Sequence, residues 1–197
     1  MATPIAKDGD MEKVIKYLGS SLTQMVENAN AGEYWRNIGL GRIAFEMMGK
    51  LPDTVPGEFE SPAEKAGILS MMLDQMDELA SPRLCITVRN EIKRLNPDDA
   101  DNLQELVKLQ DFVNPKLPME DFCKKYYRHL LFDPVERTEE FEDAIQEVEA
   151  ECNAVLEGTP RGMGFCFAYW AEKSRILAEH GIEWHSPAVM NPHVLFD

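Results

Sequence analysis

Nine of the chain's twelve prolines directly follow Ser, Thr, Asn or Asp: Pro4, Pro62, Pro82, Pro97, Pro115, Pro134, Pro160, Pro187 and Pro192. A side chain that accepts from a free helix-start amide, followed by a residue with no amide and a φ fixed near the helical value, marks a helix start or a turn. Between these marks apolar residues recur at three- and four-residue steps, and no run alternates in strand fashion. The sequence therefore reads as all-α: a single compact domain of about eight helices with short, Pro-marked connections. The strongest local signal is Ser61-Pro62-Ala63-Glu64, a capping box with Pro at the first helical position.

Residues 1–9 read as a flexible leader and 10–197 as the helical domain. Met11, Val14, Ile15, Leu18, Leu22, Met25 and Val26 form one stripe of a helix over 10–30, with Asp10 as its cap. A second helix, 33–48, is expected to bury Trp35, Ile38, Phe45 and Met48. Gly39 and Gly41 within it each cost about 1 kcal/mol of helix propensity, so a close approach by another helix is their expected use. The loop at 50–60 is a candidate sub-boundary. An acidic helix over 136–157 is expected to bury Phe141, Ile145, Val148, Cys152 and Val155. The last long helix, 164–180, is apolar nearly all round in its first half, which predicts a buried, central aromatic helix. Gly181 stops it, with Ile182 placed for the apolar contact of such a stop. A tail carrying Trp184, Val189, Met190, Val194, Leu195 and Phe196 then needs a cover, on its own chain or on a partner.

Charge narrows the partners. The formal net charge is −15, and residues 133–157 hold ten acids against one base, Arg137. Such a chain repels phosphate backbones and anionic membrane surfaces, so direct nucleic-acid binding is disfavoured and no membrane role is expected. Lys124, Lys125 and Arg128 form the one compact basic patch. Cys85, Cys123, Cys152 and Cys166 include no CxxC pair and sit among apolar residues, which reads as free, buried thiols in a reducing, cytoplasmic compartment. No uncharged apolar run approaches the length of a membrane span.

The sequence holds no HExxH, phosphate-binding loop, GxGxxG, GxSxG or calcium-loop pattern. No catalytic set, metal set or cofactor is assigned. His180, His185 and His193, with Glu179 and Glu183, lack a scaffold that would make them ligands. Two features invite a site. Gly158 to Gly164 approaches a helix start, where Arg161 and the amides of Gly162 and Gly164 suit an anion. The aromatic tail (Trp184, Val194, Leu195, Phe196) and the acidic helix (Glu139, Glu142, Glu149) suit another protein, or a second copy of the chain. The expectation is a helical protein-interaction or scaffold module, more a binder than an enzyme. The alternatives are an acidic nucleic-acid mimic that blocks a basic partner, and a small-molecule enzyme with its pocket at Gly158–Phe167.

Overall fold

The computed structural model describes residues 8–196; residues 1–7, most of the expected leader, and Asp197 lie outside the described residues. Among the described residues nine α-helices follow one another: α1 Asp8–Asn30, α2 Asn37–Met48, α3 Pro62–Leu73, α4 Pro82–Leu95, α5 Ala100–Val113, α6 Met119–Lys125, α7 Glu139–Val155, α8 Phe165–Glu179 and α9 Pro187–Met190. Two 3-10 turns, Tyr34–Arg36 and Pro134–Arg137, precede α2 and α7. The described residues contain no strand beyond one isolated antiparallel bridge, Val55 to Phe59. The all-α class is as expected. Among the described residues no helix is long and apolar enough to cross a membrane. The chain groups into two compact units, Met1–Val107 and Lys108–Asp197.

In the first unit α1 packs on α2, α2 on α3, and α3 on α4. Met25, Ile38, Ala44, Met48, Leu69, Met72, Leu73, Val88 and Ile92 are buried there. Asp10 lies inside α1 rather than capping it. The second helix starts later than expected, because Tyr34–Arg36 forms a separate turn and leaves Trp35 half-exposed. Gly41 does serve a close approach: a Cβ there would lie 2.8 Å from the Met76 Sδ and 3.7 Å from the Met25 Cε. Ser61 caps α3, its Oγ accepting from the Glu64 amide at 3.2 Å. The returning Glu64 carboxylate reaches the Glu60 amide at 2.8 Å, one residue before its expected target.

Two buried polar side chains hold this unit's turns. Asn37 is fully buried, and its Nδ2 donates to the Met25 carbonyl at 2.9 Å and the Gln75 carbonyl at 2.6 Å, while its Oδ1 accepts from Asn28 Nδ2 at 2.8 Å. It thereby ties α1 and the end of α3 to the start of α2. Lys65, 2% exposed, donates to the carbonyls of Leu51 and Pro52 at 2.8 and 3.2 Å and pairs with Asp53 at 3.5 Å. Its pKa is lowered, mainly by burial, with Asp53 opposing the shift. The loop at 50–60 is thus fastened to α3 through Lys65.

In the second unit, Phe112 meets Phe122 at 5.3 Å and Phe132 at 6.2 Å between ring centroids. Arg137 donates to the carbonyls of Asn114 and Leu117 at 2.8 and 2.7 Å. Thr138 caps α7 through the Phe141 amide. α7 packs on α8 and buries Phe141, Ile145, Val148 and Cys152. Val155 departs from expectation: at the last turn, where the chain leaves for Gly158 in the left-handed region, it is 51% exposed. The aromatic helix departs further. Only Ile176 and Leu177 of α8 are buried, and Phe167 is 49% exposed. An apolar circumference is a reason to be covered, but α7 covers one side of α8 only, and the first two turns keep an open face. α8 ends as expected: Gly181, at φ 77°, donates to Ala178, and the Ile182 amide donates back to the Leu177 carbonyl at 2.9 Å.

Replacing Asn37 by Ala strands two buried carbonyls and one amide, each costing about 1–3 kcal/mol. The expected outcome is a fall of more than about 2 kcal/mol in unfolding free energy. Denaturant titration should show a lower midpoint with an unchanged slope. A wild-type midpoint would refute the role given to Asn37.

Candidate interaction site

The loop before α8 is open to solvent from Gly158 through Met163. Arg161 is already engaged: its Nη2 donates to Asn153 Oδ1 at 3.0 Å, and its guanidinium lies 5.4 Å from the Phe165 ring centroid. The Phe165 amide donates to the Gly162 carbonyl and the Phe167 amide to the Gly164 carbonyl, so two of the amides at this helix start are used locally. Gly162 and Gly164 shape the entry to α8, with Gly164 at φ 82°. The anion set drawn from the sequence therefore gathers around loop closure rather than around a cavity.

The acidic residues divide. Glu139 is exposed, but Glu142 is 6% exposed and Glu149 turns toward α8. Glu149 accepts from Lys173 Nζ at 2.7 Å and from the Tyr169 hydroxyl. The reason is helical phase: Glu142 and Glu149 lie three before and four after the buried Ile145, on the same side of α7. The outward carboxylates are Glu139, Glu140, Asp143 and Glu147.

The tail is anchored in its own unit and then released. Trp184 is 8% exposed, and its Nε1–H donates to Glu136 Oε1 at 2.8 Å. The indole is covered within its own unit by the turn before α7, which leaves it little surface to offer a partner. Asp133 Oδ2 accepts from both the His185 amide, at 2.6 Å, and His185 Nδ1, at 2.8 Å. Asn191 bonds Leu131 in both directions, at 2.8 and 3.0 Å, in the manner of one ladder rung. Beyond that point burial ends. Val194 is 40% exposed and Leu195 is 97% exposed. Phe196 packs edge-on against Trp170 at 5.1 Å, and Trp170 edge-on against Phe167 at 5.5 Å. An apolar surface of Phe167, Trp170, Phe196 and Leu195 results.

Beneath it lies a cleft of about 160 Å³, lined by Phe132, Asp133, Glu136, Tyr169, Trp170, Lys173, Trp184 and neighbouring aliphatic groups. Lys173 crosses its wall, 5.3 Å from the Trp184 ring centroid and 5.7 Å from that of Phe141, with its charge met by Glu149. Burial pushes the Glu136 carboxyl above the usual range; the Trp184 hydrogen bond and Lys173 pull it back, while Asp133 adds to the rise. Burial, then Glu149, pushes the Tyr169 hydroxyl far up. Cys152 is pushed up to about 11 for the same reasons, which makes it an inert thiol. Sequence reading did not select Asp133, Glu136, Tyr169 or Lys173. They come from two elements, the turn before α7 and α8, up to forty residues apart, and no local pattern joins them.

No family model matches the chain, and neither the curated proteins nor the solved structures contain a match to it.

The raised Glu136 pKa has a signed consequence. The fold favours the protonated carboxyl, so its contribution is greatest below the ordinary value of 4.5 and declines as pH rises through the raised value. Glu136→Gln keeps an acceptor for Trp184 and removes the titration. Relative to wild type, this variant should gain stability in denaturant titrations as pH rises above about 4.5, and the gain should level off once Glu136 is ionised in the folded protein. A difference that stays flat, or runs the other way, counts against the buried carboxyl.

Proposed function

We propose that this chain is a helical protein-interaction module, and that its recognition surface is the apolar patch of Phe167, Trp170, Leu195 and Phe196. The observation that carries this reading is the near-complete exposure of Leu195, at 97%, beside an edge-to-face series of three aromatic rings. Apolar groups gathered in one exposed place mark contact surfaces, and aromatic anchors dominate their energetics. The outward acids of α7 would steer a basic partner, raising the encounter rate more than the affinity. Steering suits them better than imitation of a nucleic-acid backbone, since two of the three acids expected in such a mimic, Glu142 and Glu149, face inward. The enzyme reading at Gly158–Phe167 is the weakest, because Arg161 already has its partners. Free thiols at all four cysteines favour a reducing compartment, and we place the protein in the cytoplasm on that ground.

Leu195→Asp tests the patch without touching the anchored tail. The helical spectrum and melting temperature should stay at wild-type values, while self-association in sedimentation, or retention by a purified partner, falls about tenfold or more. Unchanged association in both Leu195→Asp and Phe167→Ser removes the patch as the recognition surface.

A further inference from the structure

The cleft under the patch combines features that select one ligand chemistry. Its walls carry the rings of Phe132, Tyr169, Trp170 and Trp184, and its polar groups are Asp133, Glu136 and Lys173. The two carboxylates are answered unequally. Asp133 is consumed by its own turn and by His185, taking the Val135 amide on Oδ1 and two His185 donors on Oδ2. Glu136 takes the Trp184 indole on Oε1 and a backbone hydrogen bond from Asp133. An ionised carboxylate offers about four acceptor positions, so Glu136 retains capacity. The one cation in the wall, Lys173, is already neutralised by Glu149 at 2.7 Å. Aromatic faces and an under-used carboxylate together favour a cation.

We infer that this cleft receives the ammonium head of a lysine side chain presented by the partner segment that lies on the apolar patch. Lysine fits better than arginine on two counts. A guanidinium fork is best met by both oxygens of one carboxylate, and the indole already competes for Oε1, whereas an ammonium needs only one open position. The volume is also small: a cavity of about 150 Å³ holds a benzene-sized guest, and the 160 Å³ here matches an alkylammonium end group. Trp170 connects the levels, lining the cleft and stacking on Phe167 and Phe196 above it. The assignment rests on the interaction-module reading for its source of lysine, while the cleft's choice of a cation does not.

The test uses the whole chain and follows the Trp184 indole N–H by NMR during titration with n-butylammonium chloride, with 1-butanol as the neutral counterpart. Saturable shifts are expected with the amine. Binding of the alcohol, and binding of the amine to Glu136→Gln, should be weaker by about tenfold or more, the scale of a charge-assisted hydrogen bond. Affinity for the amine in the wild-type protein should also fall as pH is lowered, because protons compete for Glu136 while Asp133, Lys173 and His185 surround it. That arm needs no variant and stands even if Glu136→Gln fails to fold. A short blocked peptide of leucine, lysine and leucine should bind more tightly than the amine, and lose that gain in Leu195→Asp. Equal binding of amine and alcohol, or no binding of either, overturns the cation site and leaves the patch reading intact. A peptide no tighter than the amine overturns the partner-borne lysine and points to a free alkylamine.

Discussion

Among the described residues no strand joins the helices, so the backbone between them has no ladder to satisfy it, and its buried amides and carbonyls must be met by side chains. This constraint organises both units. Asn37 serves the carbonyls of Met25 and Gln75, Lys65 those of Leu51 and Pro52, and Arg137 those of Asn114 and Leu117. Asn191 exchanges bonds with Leu131, and Asn102 donates to the Arg89 carbonyl. Each joins segments distant in sequence, so these few polar residues set where the helices lie. Hydrophobic burial then acts on an arrangement that the polar ties have made unique.

The same constraint builds the candidate site. Asp133 opens the turn before α7 by accepting from the Val135 amide, and its second oxygen is left to hold His185. Once His185 is fixed, Trp184 is drawn beneath it and must find an acceptor for its N–H, which Glu136 supplies. Glu136 is then partly desolvated between indole and ammonium. A turn residue thereby becomes a carboxyl whose pKa is raised by burial, through packing that begins with a cap.

The helix boundaries were legible because their signals are local. Ser61 with Glu64 and Gly181 with Ile182 each act within six residues, and the structure realises both, whereas the acidic helix expected from 136 starts at Glu139 under a Thr138 cap because Pro134–Arg137 forms a separate turn. Gly41 was legible for a related reason, since a glycine inside a strong helix pattern needs a steric cause. The aromatic helix misled because apolarity on every side was read as burial on every side. The inward turn of Glu142 and Glu149 was available from phase, as both flank Ile145, but net charge masked it. The grouping of Glu136, Lys173 and Trp184 was not available, because its members belong to separate elements brought together only by packing.

The anchoring of the tail also carries a kinetic meaning. Its ties link Leu131 with Asn191, Asp133 with His185 and Glu136 with Trp184, across sequence separations of 60, 52 and 48 residues. The ties of the first unit close shorter loops, the longest being Asp53 to Arg94 at 41. Long closures lose more chain entropy before any contact repays it, so they form late on the folding route. Contacts that form late govern escape from the native state rather than entry into it. The rung between Leu131 and Asn191 therefore acts as a brake on unfolding of the second unit, and the lifetime of the exposed aromatic surface is set by how long that rung holds.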